Sequence, residues 1–323
     1  MDRYLVTGSA GHLGEALVRT LRDQGDDVVG LDVLDSPFTT VTGSVADPDI
    51  VQRAMVGVRY VLHAATLHKP HVGSHAKQAF VDANVTGTLT VLEAAAAGGV
   101  ESVVFTSSTS AFGRALTSTS GAAWITEDVR PVVRNIYGAT KVAAEDLCEL
   151  THLETGLPVI VLRTSRFFPE GDDRDEVRSS YVDLNLKVNE FLYRRVDIAD
   201  VVTAHLLAAR RARALGFGRY IVSATTPFSE DDLAELSTDA PGVVARLFPD
   251  QPGVYEALGW RMFPRLDRVY VNAKARVELG WTPRHDFQTA LEHVKLGQDP
   301  RSPLAVTVGA KGYHQVPTGP YTT

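Results

Sequence analysis

Through the first 165 positions, short and nearly continuous apolar runs alternate with stretches whose apolar residues recur at helical spacing. The runs are Tyr4–Val6, Asp27–Leu31, Tyr60–His63, Ser102–Thr106 and Val159–Leu162. The helical patterns between them include Glu15–Gln24, Ile50–Val56, Thr88–Ala97 and Ala139–Thr155. Strand then helix, repeated, predicts an α/β fold with a parallel sheet and helices on both faces. The runs lack polar alternation, as strands covered on both sides do.

After Leu162 the rhythm breaks. Residues 169–180 are dense in charge (Glu170, Asp172, Asp173, Arg174, Asp175, Glu176, Arg178), which reads as a solvated loop and a candidate lid. A helical stretch, Ala199–Ala212, precedes the strand-like Arg219–Ser223, which is expected to rejoin the main sheet. The last third mixes short helices and turns. It is expected to form a smaller domain over the carboxyl ends of the strands, where ligands of open sheets sit. The division expected is 1–165 plus 194–225 for the sheet domain and 166–193 plus 226–297 for the substrate domain. Residues 298–323, rich in Gly, Pro and Thr, form a tail docked on the body.

Composition narrows the classes. The 323 residues carry 32 Lys plus Arg against 39 Asp plus Glu, a formal net charge of −7. An acidic chain without a basic stripe argues against nucleic acid as partner. One cysteine, Cys148, permits no intrachain disulfide and fits a reducing cytoplasm. The start, Met1–Gly8, has no cationic segment followed by a long apolar run, so no signal peptide is expected. No apolar stretch reaches 18 residues, so no membrane partner is expected either.

Thr7–Gly14 follows the first strand and opens the first helix with the spacing G-x-x-G-x-x-G. Gly8 permits the tight turn, Gly11 lets the backbone approach a pyrophosphate, and Gly14 lets helix and strand pack closely. The helix N-terminus offers free N–H groups to the phosphates. A glycine triplet alone is also an ordinary βα turn. Asp32 favours the ligand reading: it ends the second strand 18 residues after Gly14 and can accept from the adenosine ribose diol. It would repel a 2′-phosphate, and no cation follows in Val33-Leu34-Asp35, so the cofactor expected is NAD rather than NADP. The sheet is then of Rossmann type.

Tyr137 and Lys141 lie four residues apart and share one face if they start a helix. A free phenol has a pKa near ~10, too high for a base at neutral pH. A nearby ammonium and the nicotinamide charge both favour phenolate and are expected to lower it. Lys141 can also hold the nicotinamide ribose. The run ending at Thr106 continues into Ser107-Ser108-Thr109-Ser110. A hydroxyl there can bond the substrate oxygen; Ser108 is the choice and Thr109 its nearest rival. Such strand ends are also common turns.

Taken together these stretches resemble an extended short-chain dehydrogenase/reductase, of the NAD-dependent epimerase/dehydratase family. Thr7–Gly14, Val61–Ala65, Asn84–Thr88, Phe105–Gly113, Ile125–Asp128 and Tyr137–Lys141 appear in the family's order. Lys274–Pro283 resembles its K-A-x-x-x-L-G-W-x-P. The resemblance implies a hydride-transfer cycle with Tyr137 as acid/base, Ser108 as the family's Ser or Thr, and Lys141 beside them. It implies cofactor contacts at Gly8, Gly11, His12, Leu13, Gly14, Asp32, Ser44, Val45, His63, Ala64, Ala65, Asn84 and Lys141. It also implies a homodimer through two helices per subunit, here Gln78–Ala97 and Tyr137–Thr155.

Several positions depart from the family. Its dehydratases carry Thr-Asp-Glu where this chain has Ser108-Thr109-Ser110, so loss of water is not expected. Ser44 stands for an adenine-side Asp, and Arg166 for an Asn that touches substrate. Only 36 positions separate Arg163 from Ala199, a stretch that is longer in nucleotide-sugar enzymes. This favours a smaller substrate such as a free sugar, sugar acid or polyol. Whether the enzyme is a net dehydrogenase or a 4-epimerase that retains NAD is left open. A non-catalytic NAD sensor is the alternative from another class.

Other residues carry two readings each. His63, His68, His71 and His75 cluster in sequence; without a cysteine or carboxylate among them no metal is expected, and His68 is placed in the substrate pocket. Arg166 either clamps a substrate anion or pairs with the acids of 170–176. Arg194 and Arg195 read as an anion site or a solvated face. Trp260 and Trp281 read as core of the small domain.

Overall fold

A computed structural model describes residues 1–118, 121–168, 170 and 175–311. Each of the five apolar runs is a strand. The main-sheet strands are β1 (Arg3–Thr7), β2 (Asp27–Asp32), β3 (Val41–Thr42), β4 (Tyr60–His63) and β5 (Ser102–Ser108). After β6 (Ala123–Ile125) come β7 (Val159–Thr164), β8 (Arg166–Phe168), β9 (Arg195–Asp197), β10 (Phe217–Val222) and β11 (Arg268–Tyr270). Seven strands form one parallel sheet in the order β3-β2-β1-β4-β5-β7-β10, while β6 pairs with β11 and β8 with β9. The chain builds outward from β1 to β3 and then crosses back to β4. The ends of β1 and β4 therefore open a crevice at the carboxyl edge.

Helices α1 (His12–Asp23), α2 (Pro48–Ala54), α3 (Lys77–Val81), α4 (Gly87–Gly98), α5 (Ile136–Thr155), α6 (Asp175–Ser180), α7 (Asp183–Glu190) and α8 (Ile198–Leu215) follow in order. Tyr4, Val6, Leu62, Val104 and Ile160 pack under α1 and α8. Their neighbours Leu5, Val61, Val103, Phe105 and Val161 pack under α2, α4 and α5. Successive side chains of a strand leave on opposite faces, so a sheet covered twice needs apolar residues at every position.

A further core gathers Phe168, Leu186, Phe191, Val243, Phe287 and Leu291 in the C-terminal part. Some expectations need correction. Residues 175–180, read as loop, form α6, while 169 and 171–174 lie outside the described residues. Trp281 is buried in the core under α1 and α8, not in that of the small domain, and its Nε1 donates to the Asp200 carbonyl at 3.0 Å. Trp260 is half-buried against the C-terminal core. Within the tail, Pro303–Val308 is helical and adds Ala305 and Val308 to the core under α1. Residues 312–323 lie outside the described residues. Among those described, no helix is long and apolar enough to cross a membrane.

Candidate active site

The glycine turn is shaped by what a side chain would strike. Gly8 has φ +72°, and a Cβ there would stand 2.8 Å from the Ala65 amide nitrogen at the end of β4. A Cβ on Gly14 would fall 1.9 Å from the Gly8 carbonyl oxygen. The turn can therefore fold onto the start of α1 only with glycine at both places. No side chain caps α1, whose N-cap is Gly11, so its first amides are left for a ligand. Asp32 accepts the amides of Ala10 at 3.0 Å and Leu34 at 2.9 Å. It therefore braces the turn, and a carboxylate with four lone-pair sites retains capacity for ribose hydroxyls. Val33, Leu34, Ser44 and Val45 line the same wall. The glycine contacts, the uncapped helix and the carboxylate fit a dinucleotide. Leu13, His12, Ala64 and Ala65 also line the cleft, whose volume is about 1600 Å³.

The residues expected to be catalytic meet where β5 and α5 approach. Ser108 Oγ accepts the Ser110 amide at 3.1 Å, which turns the chain at the strand end. Asn135 caps α5 by accepting the Gly138 amide at 3.0 Å. A Cβ on Gly138 would lie 2.9 Å from the Ser110 carbonyl, so the residue after Tyr137 must be small for the two segments to touch. Tyr137 is thereby buried, and it lines the cleft together with Ser108. Lys141 donates from Nζ to the Thr106 carbonyl at 2.8 Å and stands 6.0 Å from the Tyr137 ring centre.

The electrostatics differ from expectation. Burial pushes the Tyr137 phenol up to about 12, although its hydrogen bond with Ser108 lowers it. Burial pushes Lys141 down to about 7, opposed by the charge of Glu145. The expected fall in the phenol's pKa is thus reversed in the protein alone, because desolvation of the anion outweighs the neighbouring dipole.

Two expected cofactor contacts are spent elsewhere. Asn84 Oδ1 accepts from Thr66 Oγ1 and the Leu67 amide, and its Nδ2 donates to the Leu67 carbonyl and Thr140 Oγ1. Three of its bonds go to the loop at Thr66 and Leu67 and the fourth to Thr140 on α5. His63 is buried between Thr7 (2.6 Å) and Thr88 (3.0 Å). Thr88 donates onward to the Asn84 carbonyl, so His63 Nε2 carries the proton and Nδ1 accepts from Thr7. Neither side chain lines the cleft.

His68 does line it, with its ring 6.1 Å from that of Tyr137. So do Ser44, Thr109 and Arg166. Arg166 pairs with Glu190 of α7 at 3.2 Å. Arg194 and Arg195 share that carboxylate, and Arg195 is fully buried rather than part of a solvated face. His71 Nδ1 accepts the His68 amide at 2.8 Å. Among the described residues no group of three His, Cys, Asp or Glu side chains is placed to hold a metal.

Among the cleft residues that the sequence reading did not place there, three stand out. Glu170 meets His12 Nδ1 at 2.9 Å, bringing a carboxylate to the glycine turn from the segment read as a solvated loop and candidate lid. Lys311 reaches back from the tail to the Ala10 carbonyl at 2.9 Å. Arg268 opens β11 on the cleft wall. The tail and β11 carried no motif that would mark them.

The family model "NAD dependent epimerase/dehydratase family" matches residues 4–222. A UDP-glucose 4-epimerase of Corynebacterium glutamicum is 25% identical over 326 residues, covering 90% of this chain and 94% of its own. A 3-beta-hydroxysteroid dehydrogenase of Mycolicibacterium neoaurum is 24% identical over 339 residues, 90% of each chain. The fold is shared with a short-chain dehydrogenase/reductase superfamily protein of Agrobacterium tumefaciens solved with bound NAD. The TM-score is 0.65 at 22% identity, covering 91% of this chain and 96% of that one. The match over most of the chain, on a sheet whose switch point carries the glycine turn, settles its kinship: the protein belongs to the NAD-dependent epimerase/dehydratase family, extended short-chain enzymes whose cofactor is NAD.

Proposed function

We propose that this enzyme oxidises a secondary hydroxyl, or reduces the matching ketone, on a small sugar-like molecule, with Tyr137 as acid/base. The observation that carries this reading is the meeting of Tyr137, Ser108 and Lys141 on one cleft wall, with Lys141 one turn further along α5 than Tyr137. NAD, when bound, takes up the hydride or returns it. Ser108 holds the substrate oxygen, and Tyr137 Oη takes or gives its proton. Lys141 holds the nicotinamide ribose. Gly8, Gly11, His12, Leu13, Gly14, Asp32, Ser44, Val45, Ala64 and Ala65 would form the cofactor wall, with His63 and Asn84 bracing it from behind. Thr109, His68 and Arg166 would contact substrate.

The sheet domain then comprises 1–165 plus 194–225, and the substrate domain 166–193 plus 226–297. Exposed Leu89, Leu150 and Leu153 on α4 and α5 support a homodimer through those helices. The single buried cysteine is consistent with a cytoplasmic location.

The test is the NAD(H) content of freshly purified protein, quantified per subunit after denaturation, followed by turnover assays. Stoichiometric cofactor favours an epimerase cycle, and nucleotide sugars are then screened for isomerisation. An exchangeable site favours a dehydrogenase, and free sugars and hydroxy acids are screened for NADH formation. Undiminished turnover by Tyr137→Phe would remove the assignment.

A further inference from the structure

The C-terminal segment closes on the glycine-turn end of the cleft, far in sequence from the turn it touches. Ser302 caps the helix Pro303–Val308 by accepting the Ala305 amide at 3.0 Å. Asp197 holds the same serine, accepting its amide at 3.0 Å and its hydroxyl at 2.6 Å. Asp197 is fully buried and also caps α8, accepting the Ala199 amide at 2.8 Å. Ala305 and Val308 pack into the core beneath α1 and α8. The helix is thus fastened to the sheet domain by a buried carboxylate and by apolar contact.

Lys311 follows this helix and lines the cleft. Its Nζ donates to the Ala10 carbonyl at 2.9 Å and pairs with the carboxylate of Glu15, in the first turn of α1. Glu15 is buried and also accepts from Arg19 Nε at 2.7 Å. Burial opposes the charge of Glu15, but the bonds from Lys311 and Arg19 outweigh it and hold the carboxyl below its usual range. An ionised carboxylate therefore keeps the ammonium at the turn. Ala10 is held from both sides: its amide donates to Asp32 Oδ2 at 3.0 Å and its carbonyl accepts from Lys311. The Ala10 carbonyl and the Gly11 amide belong to one planar peptide unit, so a bond to the first orients the second. Two successive peptide planes of the turn are fixed in this way, one by the carboxylate at the end of β2 and the next by the tail.

We infer that Lys311 is a positioning residue for the dinucleotide: carried in by the tail, it holds the glycine turn in the shape that receives NAD, so that docking of residues 302–311 and binding of NAD are linked. The inference rests on the reading of the glycine turn as the cofactor site. Linkage is reciprocal: a tail that favours the NAD-ready turn is itself held more firmly once NAD is bound.

The experiment measures binding of NAD and of ADP-ribose to the full-length protein by calorimetry. Lys311→Gln should weaken NAD about tenfold, as the loss of one charge-assisted hydrogen bond from the bound turn gives. Lys311→Arg keeps a donor and a charge and should restore most of the affinity. Lys295→Gln makes the same change of charge at an exposed pair with Asp250 and should leave NAD binding as it is. ADP-ribose lacks the nicotinamide and should lose as much as NAD. Native affinity in Lys311→Gln, an equal loss in Lys295→Gln, or a loss confined to NAD overturns the inference, and a lysine that merely pins the tail gives the first of these. Amide hydrogen exchange supplies the reciprocal readout without a variant: NAD should slow exchange across residues 303–311 of the native protein. Unchanged exchange there overturns the linkage, and this measurement decides if Lys311→Gln does not fold. Gly14→Ala tests the underlying reading separately. Weakened NAD binding in Gly14→Ala beside native binding in Lys311→Gln removes only the role of Lys311. Native binding in both removes the turn as the cofactor site, and the inference with it.

Discussion

Lys141 and Glu145 stand one helical turn apart on α5, and each is only 1% exposed. Glu145 is fixed by Ser107 Oγ at 2.5 Å and by Arg163 at 2.7 Å, which tie it to β5 and β7. Its negative charge opposes the burial that lowers Lys141 to about 7. Glu145→Gln should lower Lys141 further. The ammonium is then lost at a more acidic pH, so the alkaline limb of the kcat profile that reports Lys141 moves down. Loss of a buried partner should also cost about 3–5 kcal/mol of stability. A pH–rate profile of the folded variant checks this; a limb that stays in place shows that Glu145 acts on packing alone.

Tyr137→Phe removes the proposed proton carrier and leaves the ring in its pocket. Turnover should fall by about 10²- to 10⁴-fold, the usual contribution of a positioned acid/base group. Ser108→Ala should fall less, since in the proposed mechanism the hydroxyl only holds the substrate oxygen. Parallel measurement of Tm separates this loss from unfolding, because the hydroxyl is the only group removed.

Gly14→Ala places a methyl group 1.9 Å from the Gly8 carbonyl oxygen. Neither atom can yield without moving α1 away from β1. NAD binding, followed by its effect on Tm, should weaken at least tenfold, whereas Gly25→Ala, strained at φ +81° but with nothing within 4 Å, should leave it intact. Similar loss in both would show that the turn tolerates displacement.

The sheet was legible because a strand covered on both faces shows itself as an unbroken apolar run, and all five runs are strands. The meeting of Tyr137, Lys141 and Ser108 on one cleft was legible because local spacing places them: four residues on one helix, and one hydroxyl at a strand end. The direction of Tyr137's pKa was not, because burial arises from segments far apart in sequence. His63 and Asn84 sit in the right stretches, yet their side chains turn into bonds with Thr7, Thr88, Leu67 and Thr140. Arg268 and Glu170 reach the cleft only through long-range packing, which no spacing rule encodes.

The buried histidines predict the acid limit of stability. His205 Nδ1 donates to the Val201 carbonyl at 2.8 Å, so Nε2 accepts from Thr106 Oγ1 at 2.8 Å. A second proton has no acceptor there, and burial lowers the ring to about 4. His63, with both nitrogens likewise committed, is lowered to about 3. In the unfolded chain both bind a proton near ~6.5. Between that value and the folded pKa, the unfolded state holds more protons, so stability rises with pH. It is fully present above about pH 6.5 and is lost as pH falls towards 4. At pH 5 each ring should cost about 2 kcal/mol relative to pH 7. Urea unfolding at the two pH values measures the difference. In His205→Gln, whatever its overall stability, the drop between pH 7 and pH 5 should shrink by about 2 kcal/mol. An unchanged drop would mean that His205 takes up its proton in the folded protein, with the Thr106 hydroxyl turning away to accept it.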